Sequence, residues 1–250
     1  MKSVSNIVRT LSLVTVAIAI LTVAPAAQGN PITCATDGAA LVPGTFVLPG
    51  DCTGVAAGTL LASEAAPFTS SLGLDSGTLV SAVYEESGGT LDFYYQVVLN
   101  TTSTNCGGAG QVACDPLGRE TDTSFTGFAT SVDTRADGST LPGGIFVDGT
   151  AIPVSVDRNG VGDVVGFSFT PPNSSEIQPG QTSEVLVIAT DATKYTAGNS
   201  SVIDGGVTTV ASFEPMTAAS VPEPTTFGFL ALGCGAMLVV RKRVRRQTNS

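Results

Sequence analysis

The chain has 250 residues, with 29 Gly, 14 Pro, five Cys, no His and no Trp; 13% of it is charged and the formal net charge is −10. The absence of His excludes Ser-His-Asp and Cys-His catalytic arrangements, His-ligated zinc and an imidazole general base. The acid excess argues against nucleic acid, whose phosphates need a basic footprint that the middle of this chain lacks.

At the amino end Lys2 and Arg9 precede an apolar stretch over 11–24, followed by the small residues Ala24, Pro25, Ala26 and Ala27. Charge, apolar run and small residues in this order predict a secretory signal peptide over 1–27, cleaved after Ala26 or Ala27. The remaining length suits one domain of about 150 to 200 residues, here 28–214. Between residues 30 and 220 the only basic residues are Arg119, Arg135, Arg158 and Lys194 against twenty acids, a net of −16. A surface of that sign stays soluble outside a cell and repels anionic polymers.

Once the ends are removed, Cys34, Cys52, Cys106 and Cys114 remain, an even number in an exported chain. Four cysteines allow three connectivities. The local pairs Cys34 with Cys52 and Cys106 with Cys114 are preferred, the second closing a Gly-rich loop. Neither a Cys-x-x-Cys pair nor a His is present to suggest a metal site.

The middle of the chain is rich in Gly, Ser, Thr, Val and Phe, with turn dipeptides at short spacing, an all-β pattern. Residues 78–85 alternate Leu79, Ser81 and Val83 against Val80, Ala82 and Tyr84. Residues 90–99 alternate Leu91, Phe93, Tyr95, Val97 and Leu99 against Asp92, Tyr94, Gln96 and Val98, so one face is a core face. The 86–89 connection predicts a hairpin between them. Further strands are expected over 123–132, 145–147, 152–156, 163–170, 184–190 and 207–213, with turns at Asp137-Gly138, Asn159-Gly160, Pro179-Gly180 and Asp204-Gly205. Residues 192–197 fit one short helical turn. About eight or more short strands without a fixed repeat predict a single β-sandwich.

Chemistry in this domain is limited to carboxylates. The pairs Glu85 and Glu86, Asp133 and Asp137, and Asp157 and Asp163 are the only acid-base candidates, and a glycosidase would need two of them facing across a cleft. The segment Asp157-Arg158-Asn159-Gly160-Val161-Gly162-Asp163 offers Asp157, Asn159 and Asp163 as oxygen donors for calcium, the one cofactor these residues suit, although an Asn-Gly turn between two strands would look the same. Tyr84, Tyr94 and Tyr195 are candidates for a carbohydrate-binding face; a second buried face would equally account for Tyr94.

A linker is expected over 215–220, where prolines limit helix. Beyond it come Val221, Pro222, Glu223 and Pro224, then Thr225 and Thr226, an apolar run over 227–240 that includes Cys234, and finally Arg241, Lys242, Arg243, Arg245 and Arg246. Fourteen helical residues reach about 21 Å against a hydrocarbon core of about 30 Å; the flanking threonines and snorkelling arginines extend the span to a transmembrane helix over 225–240. The basic tail, 241–250, stays cytoplasmic, placing the domain across the inner membrane, the orientation the signal peptide also demands.

Val-Pro-Glu-Pro, a short Gly-containing apolar helix and an Arg cluster, in that order over 221–250, resemble the PEP-CTERM sorting signal of exported proteins in Gram-negative bacteria. The resemblance implies recognition by an exosortase, a membrane cysteine protease or transpeptidase, cleavage near Pro222 to Pro224, and release or attachment at the surface. A sortase signal would read Leu-Pro-x-Thr-Gly, which Glu223 and Pro224 do not match. The domain more loosely resembles exported proteins bearing this tail, through residues 91–97, 164–169 and 186–190, which implies a β-rich extracellular module and transfers no catalytic residue. The expected protein is therefore a non-enzymatic surface or extracellular-matrix protein with a structural or interaction role, whose partners are the processing enzyme, the inner membrane before processing and extracellular polysaccharide. The alternative is a calcium- or glycan-binding sandwich that stays membrane-anchored.

Overall fold

The computed structural model describes residues 39–170 and 175–217. The chain divides into two compact units, Met1–Pro215 and Met216–Ser250, and the strands all belong to the first. They are β1 (Ala39–Ala40), β2 (Phe46–Val47), β3 (Gly50–Asp51), β4 (Thr59–Thr69), β5 (Ser76–Glu85), β6 (Leu91–Leu99), β7 (Arg119–Asp122), β8 (Thr130–Arg135), β9 (Ser155–Arg158), β10 (Val165–Ser168), β11 (Val185–Thr190), β12 (Tyr195–Asp204) and β13 (Gly206–Pro215). The one helical element among the described residues is a 3-10 turn, Gly138–Thr140. No helix there is long and apolar enough to cross a membrane. The signal peptide and the 221–250 signal expected from the sequence lie outside the described residues.

The strands form two sheets. The first runs β1-β8-β11-β6-β5-β4, with β3 also on β8; the second runs β13-β12-β7-β10-β9-β2. All pairings between strands are antiparallel except the short β3 to β8 contact. Leu79, Val83, Phe93, Tyr95, Val97, Leu186 and Ile188 from the first sheet share one core with Val156, Val165, Phe167, Val202 and Val210 from the second. Two sheets around one core make the all-β sandwich that the alternation predicts.

The hairpin of β5 and β6 forms as expected, its turn closed by Glu86 N–H to Thr90 C=O at 2.9 Å and Gly89 N–H to Glu86 C=O at 2.8 Å. Both faces of these strands are buried. The outward residues Val80, Ala82, Tyr84, Tyr94, Val185 and Val187 form a second core with Cys52, Leu141 and Phe146, contributed by the connections that follow β3 and β8. The first sheet is thus a middle layer, and its strands read as near-continuous apolar runs for that reason.

Several expectations are corrected. Residues 123–129 are not strand; they connect β7 to β8, so of the 123–132 strand only 130–132 forms, as the start of β8. Residues 145–147 carry no strand and lie in the covering connection instead, where Phe146 packs beneath it. The helical turn expected at 192–197 is replaced by the start of β12, which pairs with β13 at all ten positions. Glu214 and Pro215 belong to β13, opposite Thr196 and Tyr195, so the last strand overlaps the start of the expected linker. Strand β4 escapes a propensity reading because it carries Glu64 and Pro67, but it is the edge strand, where proline costs no ladder bond.

Candidate functional site

Strand β9 and the turn after it hold the residues expected to bind calcium. Asp157 pairs in register with Gly166 of β10 and Phe46 of β2. Its carboxylate receives Arg119 Nη1 at 2.5 Å and Nη2 at 3.0 Å, and Nη1 also donates to Ser168 Oγ. The guanidinium crosses directly over Gly166, where a Cβ would sit 2.0 Å from Nη2. Asn159 Oδ1 accepts the Asp163 N–H at 2.8 Å, Asn159 C=O accepts the Gly162 N–H, and Asp163 Oδ1 accepts from Thr126. These bonds make a closed Asn-Gly turn between β9 and β10. Among the described residues no group of three or more Asp, Glu or Cys side chains is arranged to hold a metal ion.

The tyrosines do not form a carbohydrate face. Tyr84 and Tyr94 are fully buried, with ring centroids 4.6 Å apart, beneath the covering connection; the Tyr84 hydroxyl donates to Pro142 C=O at 2.7 Å. Burial, opposed by the Arg135 charge, pushes the Tyr84 phenol up to about 12, and burial raises Tyr94 as well. Tyr195 is half-buried, edge-on to Phe213. Each ring packs inside the fold because the sheet face carrying it is covered.

A cleft of about 330 Å³ opens beside that cover, lined by Gly54 to Ala57, Arg135, Asp137, Thr140, Leu141 and Pro142. Arg135 closes its floor, donating from Nε at 2.8 Å and Nη2 at 3.0 Å to the two Asp137 oxygens. Burial works against the Asp137 charge, but Arg135, the Gly54 N–H and Thr140 outweigh it and hold the carboxyl below its ordinary range. The wall therefore presents a neutral ion pair and apolar side chains. The Thr140 hydroxyl there is engaged by Asp137, donating to its backbone C=O at 2.8 Å and to Oδ2 at 3.1 Å. Of the other carboxylate pairs, Glu85 and Glu86 sit on the hairpin rim, where Glu86 accepts the Gly58 N–H, whereas Asp133 is fully buried in the first sheet. Asp133 and Asp137 thus occupy different environments, one interior and one at the cleft.

Cys106 and Cys114 form the expected disulfide, with Cα atoms 4.9 Å apart. Cys52 is disulfide-bonded too; Cys34, its expected mate, lies outside the described residues. Near the Cys106 loop, Asp115 N–H bonds Leu74 C=O and Leu117 bridges Ile177. Burial, then the charges of Asp75, Asp115 and Glu176, push Asp204 up to about 6.

No family model, curated protein or solved structure matches this chain. Its candidate sites therefore rest on their own geometry.

Two functional-looking arrangements were not foreseen from the sequence. Arg158, fully enclosed between the sheets, and the acid pair Glu120 and Asp122, fully buried on β7, were hidden because charged residues in sequence read as surface. The available signal was β7 itself, where Glu120 and Asp122 alternate with Arg119 and Thr121 between Leu117 and Phe125.

Proposed function

We propose that this chain is an exported protein of the cell surface or extracellular matrix, with a structural or interaction role rather than a catalytic one, delivered through its 221–250 sorting signal. Val221, Pro222, Glu223 and Pro224 are the segment offered to an exosortase-type enzyme. Arg241, Lys242, Arg243, Arg245 and Arg246 hold the precursor in the inner membrane until that enzyme acts. The single observation carrying the reading is the order of motif, apolar run and basic cluster in the tail. The disulfide between Cys106 and Cys114 supports it independently, since structural disulfides persist in oxidising compartments. A sandwich without His, with Tyr84 and Tyr94 buried and Asp157 and Asp137 held in ion pairs, suits a module that lends a surface to others.

The triple variant P222A/E223Q/P224A tests the reading in the native host. It is expected to accumulate at full length in the inner-membrane fraction while the wild-type chain reaches the surface or the medium. The same distribution for both would remove the sorting role of the motif.

A further inference from the structure

Strand β7 lies inside the second sheet, between β12 and β10. Glu120 is paired with Val202 of β12 and Phe167 of β10, and Asp122 with Ser200 and Val165. Directly paired residues share a face, and Val165, Phe167 and Val202 belong to the core between the sheets. Both carboxyls therefore point into the sandwich, where Glu120 is 0% and Asp122 1% exposed.

Little there can neutralise them. Arg119, on the opposite face of β7, is committed to Asp157 and Ser168. From the first sheet Tyr95 faces the pair, but its hydroxyl donates to Phe213 C=O at 2.8 Å. From β13 comes Glu214, another acid, which accepts from Ser124. Strand β10 contributes only the apolar Val165 and Phe167 on this face, and β12 contributes Ser200, whose hydroxyl donates to Asp122 Oδ1. Neither oxygen of Glu120, nor Asp122 Oδ2, receives a bond from any other donor. The two carboxyls stand two residues apart on one face of β7 with no cation beside them, so a charge on Asp122 raises the cost of a charge on Glu120, and a retained proton relieves it.

We propose that Glu120 and Asp122 form a proton-holding pair that makes the sandwich a pH-responsive module, closed while the pair keeps its proton and loosened at the β7–β12 seam when both carboxyls ionise. Two like charges in a dry core have no compensating cation, so ionisation must draw in water or part the strands. The seam matters because β12 joins β13, the strand from which the chain leaves the domain.

The direction follows from the charge state. Burial, reinforced by Asp122, pushes Glu120 well above the ordinary carboxylate range, and burial takes Asp122 to about 7 against the Ser200 bond that lowers it. Stability from the pair is complete at acid pH, below the ordinary carboxylate values, and is lost as pH rises through neutrality, because the unfolded chain ionises first.

The full-length protein is unfolded in urea at intervals from about pH 5 to about pH 9, alongside the E120Q/D122N variant. The wild-type midpoint is expected to fall steadily across that range and the variant's to fall distinctly less, the residual slope reporting the general acid excess. Infrared spectra of the folded proteins at neutral pH should show a protonated-carboxyl stretch that is stronger in the wild type than in the variant. If the double variant does not fold, D122N, which keeps the side-chain shape, is compared in the same way. Parallel pH profiles, or equal protonated-carboxyl intensity, would overturn the proposal.

Discussion

Replacing Arg158 with methionine is expected to lower the free energy of unfolding by about 3–5 kcal/mol. Arg158 ends β9 and is 4% exposed, yet among the described residues no carboxylate forms an ion pair with it. Its guanidinium instead donates from Nε to Gly162 C=O at 3.0 Å, from Nη1 to Thr130 Oγ1 at 2.9 Å and Leu41 C=O at 3.3 Å, and from Nη2 to Phe125 C=O at 2.5 Å and Phe128 C=O at 3.0 Å. Thr130 begins β8 in the first sheet, Leu41 follows β1 beside it, and Gly162 lies in the β9–β10 turn of the second. One side chain thus ties the two sheets and the β7–β8 connection together. Methionine fills a similar volume but leaves buried carbonyls without a donor, each worth about 1–3 kcal/mol when stranded. Lysine, with three donors on a single nitrogen, should recover only part of the loss. Urea unfolding checks this: the midpoint falls in the order wild type, R158K, R158M, with the slope unchanged if the native state stays compact.

The second large effect is expected at Gln96, in the middle of β6 and fully buried on the outward face of the first sheet. Its amide pairs like a short piece of strand with the covering connection, Nε2 donating to Val147 C=O at 2.7 Å and Oε1 accepting the Val147 N–H at 3.1 Å; Nε2 also donates to Ser183 C=O at 3.0 Å. The connection lies very close to the sheet here. A Cβ on Gly149 would fall 1.9 Å from Ser183 O, and one on Gly138 would fall 3.0 Å from the Val185 side chain of β11. Q96L keeps the volume and removes the three bonds, which should cost about 2–4 kcal/mol. Because the loss is local, hydrogen exchange should accelerate at Val147 and its neighbours more than in β10, which packs on the other side of the core. Uniform acceleration throughout the domain would mean the cover does not open separately.

These two residues also mark where sequence reasoning stops. Alternation made β5, β6 and their hairpin legible, since Leu79, Val83, Phe93 and Val97 all turn to one core. It could not reveal that Tyr84 and Tyr94 turn to a second one, because a strand buried on both faces and a strand with an aromatic binding face have the same pattern. Strand β12 was missed because Gly198, Asn199 and Ser200 are poor strand formers; its ten pairings with β13 supply what propensity does not. Strand β7 was missed because arginine, glutamate and aspartate look like a surface turn, and only the fold places its acids inside. At the calcium candidate, the composition of the loop was legible but the engagement of Asp157 by Arg119, from a strand 38 residues away, was not. The proposed sorting motif, Val221 to Pro224, is a matter of residue order along the chain, and its reading does not depend on the fold.

Under the proposed function the chain is exported and its tail is removed. The most direct test is the intact mass of the protein recovered from the native cell surface and medium. The expected chain begins at Ala27 or Gln28 and ends near Pro222 to Pro224, with any added mass at that new carboxyl end. A mass that still includes Arg245 and Arg246 would contradict it and leave a membrane-anchored protein that no enzyme processes.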